Sequence, residues 1–348
     1  MIPLRLGRYT VVSVYILLAL LLMFGSEILV WTNPVGRPIL EWLLLIPGYV
    51  ALSAILLDFT VRYRVRDLFG ALLLTGIYTL ASAIVLNPAS TLNDLPRTLV
   101  TRVMGAHGLI AAEMIGLFLA LTGGGKQSRR NLLIGCAIVG LAWGIWVKNW
   151  PIEEGFGAVS LPVMLAFGGG GIVLIALYLY VVLPRLQSAE PTTPTSTTLT
   201  NTSALDDSLT RLCLTRQGWL ITGGVLIALL IVRLIQGEVI GAGLILCPLL
   251  LVLCWGILWF RGRKRGDTLL DHRIPIRPLA LLNLVVGAAL FLGVGVFAYN
   301  LPDIKLGTIT PFTLIGLGFT AYGLAWLPTV SLVLGVQGYL RQLATRKM

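Results

Sequence analysis

The chain has 348 residues, of which 57% are apolar and only 12% are Asp, Glu, Lys or Arg, about half the charged share of a soluble domain. Mean hydropathy is +0.90, and several stretches reach the ~20 apolar residues that cross a bilayer. This excludes a soluble enzyme, a disordered chain and a secreted disulfide scaffold, and assigns the net charge of +11 to positive-inside sorting rather than to a nucleic-acid partner.

The expected architecture is all-α: a polytopic membrane bundle of about ten transmembrane helices. The N-terminal stretch carries Arg5 and Arg8 ahead of an uncharged run from Tyr9 to Ser26. It has the look of a signal peptide, but the run is too long for an h-region and no small-x-small site follows, so a retained first helix is expected. The first three segments are read at Tyr9–Val30, Pro38–Leu57 and Leu68–Leu86, and the next two at Val103–Leu121 and Leu132–Val147. A Trp/Pro/acidic turn then leads to a sixth segment at Val159–Val182. Residues 187–215 open with a Thr/Ser/Pro-rich tract that has little to bury and reads as a cytoplasmic linker. Four more segments follow, at Trp219–Gln236, Val239–Phe260, Pro278–Ala298 and Phe312–Gln337. The domain organisation is therefore a six-helix unit (1–186), the linker (187–215) and a four-helix unit (216–348).

Charge tests this layout. With the N-terminus inside, twenty of the 26 Lys and Arg residues fall in cytoplasmic segments. The six on the outer side are Arg37, Arg97, Arg102, Lys148, Arg233 and Lys305. A missed or extra helix would scramble that split. Both termini are expected in the cytoplasm, in the inner (plasma) membrane of a prokaryote-like cell. The last four segments also resemble the first four in layout. Each set opens after a basic residue, has a basic loop (RYRVRD, 62–67; RGRKRGD, 261–267) and ends its third helix at an Asn closely followed by Pro. This layout is compatible with a parallel duplication of a four-helix unit.

Where charge is scarce, an ionisable residue inside an apolar segment is the best pointer to a site. Glu113 lies near the middle of the fourth segment (HGLIAAEMIGLFLA), where a carboxyl group must be protonated, paired or hydrated. His107 precedes it on the same helix by six residues, ~9 Å along the axis, and about a third of the way round. Arg233 interrupts the seventh segment, and Glu27 has a similar depth in the first; snorkelling toward the outer headgroups, a structural ion pair and an anion site are the three readings. These four residues form the candidate intramembrane polar site.

Cys136, Cys213, Cys247 and Cys254 form no CxxC or Cys/His ligand pattern, and His107 and His272 are too far apart for a bis-His haem. No metal or other cofactor is expected. Gly140 and Gly144 form a GxxxG, and Gly168–Gly171 a run of four glycines, both read as close helix packing.

A weaker candidate is the acidic turn holding Glu153 and Glu154. Pro151-Ile152-Glu153-Glu154 is similar to the Pro-x-Glu-Glu segment of membrane-bound carotenoid (lycopene) cyclases. The resemblance covers four residues, and Gly155-Phe156-Gly157 replaces the aromatic pair expected next. It implies an intramembrane isoprenoid or lipid-modifying enzyme. An aromatic-belt turn with Trp146 and Trp150 at the interface is the preferred reading. The sequence thus leaves two main functional classes: a transporter or permease for a small or amphipathic solute, and a non-catalytic subunit of a membrane complex binding lipid, quinone or pigment. The expected partners are membrane lipids and other membrane subunits.

Overall fold

The computed structural model describes residues 8–123, 126–188, 209–238, 241–261, 268–271, 279–302 and 310–328, with residues 336, 339–340 and 343–344. Among them the chain is all helical, without a strand. Nine helices among the described residues are long and apolar enough to cross a membrane, which marks a multi-pass membrane protein. They are α1 (Tyr9–Leu29), α2 (Ile39–Arg62), α3 (Leu68–Val85), α4 (Leu99–Gly123), α5 (Gln127–Glu153), α6 (Leu161–Ser188), α7 (Arg216–Ile235), α8 (Gly243–Phe260) and α9 (Leu281–Tyr299). A further helix, α10 (Pro311–Pro328), occupies the start of the tenth expected segment; most of the rest of that segment, and linker residues 189–208, lie outside the described residues.

Several helices run past their apolar cores, because polar residues at their ends form local pairs that sustain the helix. The second was expected to stop at Leu57 but continues to Arg62. Asp58 and Arg62 sit one turn apart and join through two hydrogen bonds, Nε to Oδ2 at 2.8 Å and Nη2 to Oδ1 at 2.7 Å. The expected turn at Trp146–Glu154 is also corrected: α5 stays helical to Glu153. Trp146 and Trp150, four residues apart, stack at 4.6 Å, and Pro151 falls in the last turn, where little helix remains to be broken. The chain then reverses through Gly155 (φ +77) and Gly157 (φ +85), a conformation that glycine adopts without strain.

The described contacts divide the chain into two compact units. The first contains α1, α5, α6, α9 and the part of α4 from Glu113 onward. Its central seam joins α5 and α9, and the GxxxG lies on it. A Cβ at Gly144 would come within 2.2 Å of the Gly295 carbonyl oxygen, and one at Gly140 within 2.5 Å of that of Phe291. Only glycine permits backbones to approach so closely. Phe291 stacks on Trp143 at 4.8 Å and meets Phe24 edge-on at 6.3 Å, tying α9, α5 and α1 together. In the glycine run, Gly168 and Gly171 leave room for the Trp143 and Phe24 rings, while Gly169 and Gly170 face open space.

The second unit contains α2, α3, α7, α8, the part of α4 through Ala112, and α10 from Gly316. Here α3 packs on α8 and α2 on α7. Asp67 caps α3 by accepting from Gly70 N at 2.7 Å, and it also holds Arg261 at the end of α8, Nη2 to Oδ2 at 2.5 Å. Burial acts to raise the Asp67 pKa, but the Arg261 guanidinium and the Gly70 N–H outweigh it and hold the carboxyl below its ordinary value.

Candidate functional site

Two stretches of π-helix set the local geometry around the candidate residues. One is Phe24–Leu29, at the end of α1. The wider π turn disturbs the main-chain ladder, so carbonyl groups need partners from outside it. Trp143 Nε1 donates to Ile28 O at 3.0 Å, and Trp146 Nε1 donates to Val30 O at 2.7 Å. Glu27 sits in this stretch, fully buried. It pairs with Arg37 Nη1 at 3.1 Å and accepts a hydrogen bond from the Thr32 hydroxyl. The second stretch, Leu99–His107, opens α4. His107 is buried at its end and belongs to the second unit, whereas Glu113 belongs to the first.

Arg233 is buried in the second unit, near the end of α7. Its Nη2 donates to Leu86 O at 2.9 Å, and its Nη1 donates to Gln236 Oε1 and Glu238 Oε2, each at 3.1 Å. Glu41 Oε1 lies 3.6 Å from the same Nη1. Glu27 and Arg233 each have a counter-charge from their own unit. Both arrangements are those of structural ion pairs near helix ends. Glu153 is exposed and Glu154 half-buried, at the C-terminus of α5 and just beyond it. Among the described residues, no three His, Cys, Asp or Glu side chains gather where they could hold a metal ion.

Glu113 stands apart from these. It borders a cavity of about 370 Å³ enclosed by α1, α4, α5, α6 and α9, all within the first unit, a size typical of small-molecule sites at about 300–1,000 Å³. Leu21 and Phe24 of α1, Leu117 of α4, Ile175 of α6 and Phe291 of α9 make an apolar wall. Among the described residues no Lys, Arg, Asp or His lines it, and Glu113 is the one carboxyl group there. The Glu113 Oε2 atom is buried and makes no hydrogen bond. Leu121 of α4 and Asn131 of α5 line the cavity too. Glu113 to Leu121 is two turns of α4, so the cavity runs ~12 Å along the helix axis at 1.5 Å per residue. Gly116 and Ile138 also line the cavity, and both are exposed, Ile138 to 61%. The cavity thus reaches an apolar, exposed flank of its unit.

Sequence reading had singled out Glu113 but neither Cys136 nor Asn131, which also line this space. Nothing in their local sequence marks them, because the five helices that enclose the cavity come from three separate parts of the chain. Asp58 was also missed. It is fully buried, and besides pairing with Arg62 it accepts from Leu214 N at 2.7 Å, just before α7. Its four-residue spacing from Arg62 was the available signal. The chain matches no known protein-family model, no curated protein and no solved structure.

Proposed function

We propose that this multi-pass membrane protein is a permease for a small amphipathic solute, which it draws from the lipid phase into the cavity beside Glu113. The reading includes a plasma-membrane location, cytoplasmic termini and a parallel repeat of four helices. One observation carries it: a ligand-sized apolar cavity reaches an exposed apolar flank and contains a carboxyl oxygen without a partner. An unmet acceptor at that depth is costly, and an ionised one facing lipid costs about 2.5–3.5 kcal/mol even on insertion scales. A bound solute that donates a hydrogen bond removes this cost. Among the described lining residues a charged solute would find no counter-cation.

The test is to fill the cavity without disturbing its walls. A Cβ at Gly116 or at Gly135, both of which line the cavity, meets no atom within 4 Å. The double variant Gly116→Leu/Gly135→Leu is expected to fold, migrate as wild type in mild detergent, and lose solute binding and transport. Unchanged binding in that variant overturns the reading. Purification with stoichiometric partner subunits, and no transport in proteoliposomes containing the chain alone, would favour the complex-subunit class instead.

A further inference from the structure

We infer that the occupant of the Glu113 cavity is a neutral molecule with an apolar body and one hydrogen-bond-donating head, of the alcohol or phenol class. The inference rests on the binding role just proposed and specifies its ligand. Glu113 offers an accepting oxygen, Oε2, that is buried and unpartnered. Ionised, that oxygen calls for a donor; protonated, the carboxyl group both donates and accepts, and a hydroxyl head answers either form because it does the same.

The rest of the lining limits the head further. An anionic head, such as a phosphate or carboxylate, would place a buried negative charge beside Glu113, and among the described residues no Lys or Arg lines the cavity to compensate it. An ammonium head carries three donors. Among the described residues Glu113 is the one carboxyl group in the lining, and Asn131 already accepts from Gln127 Nε2 at 3.0 Å. A buried cation would keep unmet donors and lose its hydration. A plain hydrocarbon would fill the volume but leave Oε2 unsatisfied. A hydroxyl matches the single acceptor.

The tail is limited by shape. Its space is ~12 Å long and about 370 Å³, bounded by the Phe24 and Phe291 rings. Gly171 lets the Phe24 ring seat here, since a Cβ there would fall 2.4 Å from Phe24 Cδ2. The occupant is therefore a single chain or a compact ring system.

The experiment uses the full chain in lipid nanodiscs and a ten-carbon alcohol carrying a diazirine. Photolabelled peptides are mapped by mass spectrometry, with decan-1-ol, decane, decanoate and decylamine as matched competitors. The expected result is labelling within Leu99–Gly123 and Gln127–Glu153, competed best by decan-1-ol. Glu113→Leu should weaken binding about tenfold, the effect of one hydrogen bond to a buried acceptor. Glu113→Gln keeps the shape and an accepting oxygen, and should stay within about threefold of wild type on the same basis. Tryptophan-fluorescence melting of each variant establishes that it is folded.

Competition by decanoate or decylamine equal to that by decan-1-ol overturns the inference. So does loss of binding in Glu113→Gln as large as in Glu113→Leu, which would identify an ionised carboxylate and a cationic head. Equal competition by decane, with Glu113→Leu unaffected, would show a purely apolar occupant and also overturn it. Labelling that persists unchanged in Gly116→Leu/Gly135→Leu defeats the cavity-binding role itself, so the two failures are distinguishable.

Discussion

The α5–α9 seam supports a quantitative prediction through Gly144→Ala. A Cβ at this position would fall 2.2 Å from the Gly295 carbonyl oxygen and 2.8 Å from Ala298 Cβ. Ordinary contact begins near 3.4 Å, so the two helices must part locally by about 1 Å. Both obstacles are backbone or a methyl group fixed to it, and no rotamer change relieves them. Overpacking of this kind costs about 1–3 kcal/mol. The control is Gly169→Ala, where the added Cβ meets nothing within 4 Å. Each substitution lies inside a helix and gains the same intrinsic preference for Ala over Gly, about 1 kcal/mol, which cancels in the comparison. Reversible unfolding in mixed SDS micelles, followed by tryptophan fluorescence, should therefore find Gly144→Ala less stable than Gly169→Ala by about 1–3 kcal/mol. Because Phe291 lies on this seam and also lines the cavity, Gly144→Ala should weaken solute binding too. Equal stability of the two variants would refute the close-packed seam.

Three other predictions concern charge. Breaking the buried Glu27–Arg37 pair with Arg37→Met alone should cost about 3–5 kcal/mol, and Glu27→Met/Arg37→Met less than that, because the double change leaves no buried charge unpaired; a double-mutant cycle in the same unfolding assay measures this, and additivity would contradict it. Asp67 has a lowered pKa when folded, so its contribution is full above the ordinary value of 3.8 and is lost as pH falls through the lowered one. With the carboxylate 41% exposed, Asp67→Asn should cost under about 1 kcal/mol at neutral pH, and the gap from wild type in thermal melts should close as pH drops below the ordinary value. Reporter fusions after Lys126, within Thr192–Thr200 and at the C-terminus should register cytoplasm, and those at Asn93 and Glu154 the opposite side; a consistent reversal at one middle loop would refute the proposed topology.

The membrane class and the approximate position of each segment were legible in the sequence because spanning a bilayer is a local property, the summed hydropathy of about 20 consecutive residues. Tyr9–Leu29, Leu68–Val85 and Arg216–Ile235 fall within a few residues of where hydropathy alone put them. Ends were less legible. Asp58, Arg62 and the Trp146–Trp150 stack extend helices beyond their apolar cores through side-chain pairs that a hydropathy sum does not register. Glu113 stood out as a lone carboxyl group in an apolar run, and the same rarity drew attention to Glu27 and Arg233. Only the tertiary structure decided which of the three lacks a partner. Glu27 meets Arg37, and Arg233 meets Glu238 and Glu41, whereas Glu113 Oε2 faces a cavity. The sequence could not show this for a physical reason. Lipid tails are as apolar as leucine, so a membrane helix needs no apolar stripe to mark its inward face. Which helix touches which depends on small residues and ring shapes, such as Gly144 against Gly295 and Gly171 against Phe24, brought together from parts of the chain far apart in sequence.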